Sequence, residues 1–122
     1  MTSKLCVALV ALCMPAAASA MPVGTFLTKA EALKAKGFTA LFASDFKLLQ
    51  KTIEADGRAL GDEGRAAKAA GRTPAFCPVG RIKLTSDEII QAMRAVPAAQ
   101  RPRTDTRDAL RAYFARRYPC GA

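Results

Sequence analysis

After residue 20 the chain is organised by apolar positions at helical spacing. From Phe46 onward, Ile53, Leu60 and Ala67 recur at sevens, and Leu49 and Ala66 widen the stripe, so one face stays apolar for roughly six turns. This predicts a long helix from about Phe46 to about Ala70, with Ser44-Asp45 as its N-terminal cap. Gly57 and Gly64 lie on or beside the stripe, where a missing side chain predicts close approach by another helix. Glu54 with Arg58, and Asp62 with Arg65, are spaced as surface ion pairs on its flank. A shorter helix is expected upstream: Thr28-Lys29-Ala30-Glu31 reads as a Thr-x-x-Glu capping box, Ala30 and Leu33 follow, and Gly37 stands where a left-handed C-terminal cap belongs. Phe38 to Ala43 reads as an apolar turn between the two.

Downstream, Gly71-Arg72-Thr73-Pro74 and Pro78-Val79-Gly80 are turn chemistry, which makes residues 71 to 84 a loop. A second Thr-x-x-Glu box, Thr85 to Glu88, opens a helix whose apolar face is Ile89, Ile90, Met93 and Val96 and which Pro97 stops. After a connector from Pro97 to Arg103, Thr104-Asp105-Thr106 caps a last helix with Ala109, Leu110, Tyr113 and Phe114 on one arc. The predicted fold class is therefore all-α: a small bundle of about four helices, one of them long. It forms a single domain over residues 21 to 122.

The first twenty residues read differently. Lys4 gives a positive start, Leu5 to Leu12 is an apolar run of eight, and Pro15 precedes Ala18-Ser19-Ala20, a small-x-small cleavage signal. Residues 1 to 20 are thus expected to be a secretory signal peptide cut after Ala20, with the mature protein in the periplasm. The apolar run is far short of the about 20 residues that a spanning helix needs, so no integral membrane segment is expected after processing. Leu12, just before Cys13, is too large for a lipid-attachment site. Cys77 and Cys120 then remain, an even count in an oxidising compartment, and a disulfide between them is the expected outcome. A reactive thiol would need an activating base or a Cys-x-x-Cys pair, and neither is present.

Composition narrows the chemistry. The chain has 122 residues and no histidine, which excludes imidazole bases and histidine metal ligands. There is no phosphate-binding glycine loop, no nucleophile elbow and no Cys or His cluster with metal spacing. The neighbouring acids Asp62-Glu63 and Asp87-Glu88 fit helix flanks and first turns better than a catalytic pair. No enzyme activity, cofactor or metal is expected. The formal net charge is +9, and residues 81 to 122 carry nine Lys or Arg against four acids. Arg107 and Arg111, one turn apart beside the apolar arc of the last helix, are the candidate partner-binding residues, facing a negatively charged protein or envelope polymer. Nucleic acid is not an expected partner, because a helix-turn-helix uses a turn of three or four residues and export removes the chain from DNA. A surface-lying amphipathic anchor is disfavoured, because the apolar arcs are needed for the core.

Phe76-Cys77-Pro78, Leu84-Thr85, Ile89-Ile90, Val96-Pro97, Ala109-Leu110 and Tyr118-Pro119-Cys120 together resemble the C-terminal half of the Rap/Tai immunity proteins of type VI secretion. The first half departs from that pattern, with one long charged helix and no cysteine in the opening helix. The resemblance implies a periplasmic protein without catalysis of its own, which binds a toxin, a peptidoglycan amidase effector, and which is often a homodimer. The alternative is a structural or housekeeping envelope protein with no toxin partner.

Overall fold

The computed structural model describes residues 21 to 121; the expected signal peptide lies outside the described residues. Four α-helices occur among them: α1 (Val23–Lys36), α2 (Ser44–Ala69), α3 (Ser86–Arg94) and α4 (Thr106–Arg117). A 3₁₀ segment, Gly37–Phe42, joins α1 to α2, and a short 3₁₀ turn, Ala98–Gln100, lies between α3 and α4. The all-α reading holds, and α2, with 26 residues, is the long helix. Its length is about 39 Å at the usual helical rise.

α1 starts upstream of the expected capping box. Val23, Phe26 and Leu27 are buried at the i, i+3, i+4 spacing of one helical face, so burial extends the helix back to Pro22. Thr28 therefore lies inside the helix, and its hydroxyl donates to the Gly24 carbonyl at 3.0 Å instead of capping. Gly37 ends α1 with φ 61° and ψ -134°, a positive φ that favours glycine but not the left-handed helical cap expected there. The α2 cap is also corrected: Ala43 occupies the cap position with no side-chain bond, and Ser44 and Asp45 form the first turn. Asp45 favours the helix dipole there and accepts from Lys29 Nζ at 3.1 Å, tying α2 to α1.

Along α2 the stripe of Leu49, Leu60 and Ala67 is buried, with Phe46 and Ile53 packed against the core, but Ala66 is exposed. The expected close approach at Gly57 and Gly64 is absent: a methyl group at either would meet nothing within 4 Å. The Glu54–Arg58 and Asp62–Arg65 pairs form as spaced. α3 begins with the full reciprocal capping box, Thr85 Oγ1 accepting from the Glu88 N–H at 3.2 Å and Glu88 Oε2 accepting from the Thr85 N–H at 2.9 Å. Asp105 caps α4 by accepting from the Asp108 N–H at 2.8 Å.

α4 packs between α2 and α3, and α1 contacts all three of the others. Met93 and Leu110 are completely enclosed where these helices meet. The start of α1 is strapped to the α3–α4 connector by bonds from the Val23 N–H to the Thr104 carbonyl at 2.8 Å and from the Thr106 N–H to the Met21 carbonyl at 2.9 Å. Cys77 and Cys120 form the disulfide. Beside it the Cys77 N–H donates to the Tyr118 carbonyl at 2.8 Å, and Phe76 stacks on Phe114 with ring centroids 5.0 Å apart. The 71 to 84 loop is thereby held over the end of α4.

Candidate functional site

Arg107 and Arg111 share one side of α4, and that side faces α2. Arg111 grips Glu63 with a two-pronged contact, Nε to Oε2 at 3.0 Å and Nη2 to Oε1 at 2.7 Å, and also pairs with Asp108 one turn back. These carboxylates, Glu63 foremost, hold its guanidinium still more firmly protonated than usual. Arg107 Nε lies 3.6 Å from Asp56 Oδ1, beyond hydrogen-bond reach, so the attraction there is electrostatic. Each arginine faces a carboxylate on the long helix and ties α4 to α2.

Asp56 was not anticipated. It is only 5% exposed and sits on the α2 stripe between Ile53 and Leu60, where a small apolar residue would be expected. Burial pushes its carboxyl above the ordinary 3.8, partly opposed by the Thr106 hydroxyl, which donates to Oδ2 at 2.5 Å, and by the charge of Arg107. Thr106 is completely buried, so this bond satisfies two enclosed polar groups at once. A polar residue interrupting an apolar stripe was the available signal.

The opposite side of the bundle is open. α1, α2 and α3 enclose a groove of about 850 Å³. Phe26, Leu27, Leu33 and Leu49 form its floor, and Ile53 and Ile90 its walls. The rim is polar, with Gln50, Gln91 and Lys34, and with Glu31 and Arg94 facing each other at 3.9 Å across the α1–α3 gap. The expected apolar faces of α1 and α3 therefore meet their neighbours incompletely, and sequence periodicity carries no signal of how much of a face is covered. Between α3 and α4, Tyr113 reaches toward Glu88 at 3.5 Å; its hydroxyl is pushed up by desolvation and by the Glu88 charge, whereas the Thr85 N–H holds Glu88 below the usual carboxylate range.

The 3₁₀ segment is a second open feature. Phe38 and Phe42 are 91% and 89% exposed and Leu41 is 56% exposed, so the apolar turn between α1 and α2 leaves most of its apolar surface outside. Among the described residues no group of three or more Cys, Asp or Glu side chains gathers as a metal site, and no helix is long and apolar enough to cross a membrane. Comparisons of the chain with protein-family models, curated proteins and solved structures find no match.

Proposed function

We propose that the protein is an exported binding protein of the cell envelope that holds an apolar segment of a partner protein in the α1–α2–α3 groove. The observation that supports this is the groove itself: an open hollow of about 850 Å³ with a floor of four enclosed apolar side chains, in a domain of about 100 residues. Such a recess with a polar rim suits an inserted side-chain cluster whose orientation the rim fixes. Binding and not catalysis is the reading, and the family resemblance in the C-terminal half makes a peptidoglycan amidase effector the first partner to try. Arg107 and Arg111, engaged with α2, contribute rigidity behind the groove instead of contacts within it.

The test is direct binding of a candidate effector to the exported protein, with Gln50→Arg and Gln91→Arg as rim variants. Both glutamines are exposed, so the fold tolerates the change and a helical circular dichroism spectrum verifies it. The expected result is loss of binding, and of amidase inhibition, in the rim variants. Equal binding by wild type and both variants rejects the groove, and an envelope without any effector that binds leaves the structural, toxin-independent reading in its place.

A further inference from the structure

The apolar side chains Phe38, Leu41 and Phe42 at the tip of the α1–α2 hairpin belong neither to the core nor to the groove, and the tip combines two surface properties. Phe38, Leu41 and Phe42 project from the 3₁₀ segment, and Leu48, 43% exposed, lies on the outer side of α2 just beyond it. Around them are Lys34 and Lys36 in the last turn of α1 and Lys47 and Lys51 in the first turns of α2, all exposed. Helical geometry sets Lys47 and Lys51 on one outward face, opposite the buried Leu49 and Leu60, with Leu48 on the flank beside Lys51. Between residues 34 and 51 the only acid is Asp45, and Lys29 already pairs with it. The nearest acids on the flanking turns are also paired, Glu31 with Arg94 and Glu54 with Arg58. Four lysines therefore surround the exposed apolar side chains with no unmatched carboxylate among them.

We propose that this tip is a docking surface for an anionic lipid bilayer, with Phe38 and Phe42 seated at the boundary between head groups and acyl chains and the four lysines on the head-group phosphates. Charge complementarity and shape both favour a bilayer. The apolar side chains stand out from the surface instead of lining a recess, which suits a deformable interface better than a folded partner. The cations are all lysines, compact charges on flexible stems that follow mobile head groups without a fixed two-pronged geometry. A second copy is the poorer occupant: a symmetric contact through the tip would set the lysines of one chain against those of the other. Insertion of this short apolar turn leaves the helix arcs in the core, so the expectation that core packing rules out an interfacial anchor applies to the helices and not to the segment between them.

Vesicle flotation tests the proposal with the exported protein, its intact mass measured so that every variant has the same N-terminus. Vesicles of phosphatidylcholine alone are compared with vesicles containing about one-third phosphatidylglycerol. Wild type is expected to float with the anionic vesicles, less so as salt rises, and to stay in solution with the neutral ones. Phe38→Ser with Phe42→Ser should weaken binding by about tenfold or more, and Lys47→Gln with Lys51→Gln should weaken it by a similar factor while flattening its salt dependence. All four side chains are exposed, so the thermal midpoint of each variant should match wild type. Three results would overturn the proposal: no binding of wild type to anionic vesicles, binding unaffected by the Phe pair, or a concentration-dependent oligomer that the Phe pair abolishes. These outcomes are separable from the groove reading, because Phe38, Phe42, Lys47 and Lys51 do not line the groove and the rim variant Gln91→Arg lies on α3, outside the tip.

Discussion

The α2–α4 seam and the α1–α2 tip both combine aromatic and basic side chains and deploy them in opposite ways. In the seam Phe76, Tyr113 and Tyr118 pack around Phe114, and Arg107 and Arg111 each face a carboxylate of α2. At the tip two phenylalanines and four lysines face solvent with no such partners. The C-terminal third holds the larger surplus of positive charge, yet its two central arginines are engaged internally. A count of charges along the chain does not show which cations have a carboxylate within reach after folding.

If the seam is the rigid half, cutting its covalent tie should have the largest effect on stability. Cys77 and Cys120 are separated by 43 positions, and releasing a loop of that size returns about 4 kcal/mol of chain entropy to the unfolded state. Cys77→Ala with Cys120→Ala should lower the unfolding free energy by about that much, read from urea denaturation. A loss below about 1 kcal/mol would mean that the unfolded chain keeps the loop closed by other contacts.

The polar centre of the seam comes next. Asp56→Ala leaves the enclosed Thr106 hydroxyl without its acceptor and Arg107 without its counter-charge, at a cost of about 2–3 kcal/mol. Asp56→Asn keeps an acceptor for Thr106 and removes a buried charge, so its cost should stay below about 1 kcal/mol. Equal losses in the two variants would show that the ion pair, and not the hydroxyl bond, holds the seam. The same geometry changes how charge reversal is read: Arg107→Glu with Arg111→Glu would set new carboxylates against Asp56 and Glu63 and loosen α4, so altered association in that variant reports on folding as well as on docking.

Smaller, and opposite in sign, is the effect expected at two glycines of α2. Gly57 and Gly64 have open space where a Cβ would stand, so Gly57→Ala and Gly64→Ala should each stabilise by about 0.4–1 kcal/mol through helix propensity. Destabilisation by either would restore the close-packing interpretation of these glycines.

Element type was legible wherever periodicity and capping chemistry agreed, as in α3, where Thr85, Glu88 and Pro97 marked both ends. The start of α1 was not, because Thr28 is a cap-forming residue among neighbours already helical, and burial of Val23 and Phe26 decided the boundary; at α2 the extended Ala43 takes the cap position and Ser44 becomes the first helical residue. The disulfide followed from cysteine count and the expected compartment, since a single pairing was available. The groove and the tip were invisible for a common reason. Apolar spacing says which face a helix would bury, but the neighbours that cover it are set by tertiary packing, and Phe38 and Phe42 look the same in sequence whether covered or bare.

The smallest effect is one of pH, and it asks whether the seam encloses a charge at all. Burial raises the Asp56 carboxyl above its ordinary 3.8, so the folded chain takes up this proton at a higher pH than the unfolded chain does. Within that window the folded state binds more protons, and stability rises as pH falls from the folded value toward 3.8. Asp56→Asn lacks the group. The difference in stability between wild type and Asp56→Asn should therefore shift in favour of wild type as pH is lowered through the window and then level off below 3.8. Glu88 has the opposite tendency, because the Thr85 N–H favours its charged form, but it is present in both proteins and cancels from the difference. Urea midpoints of the two proteins at stepped pH give the measurement. A difference that stays constant with pH would show that Thr106 and Arg107 fully offset the burial of Asp56, making the seam as stable with its charge as without it.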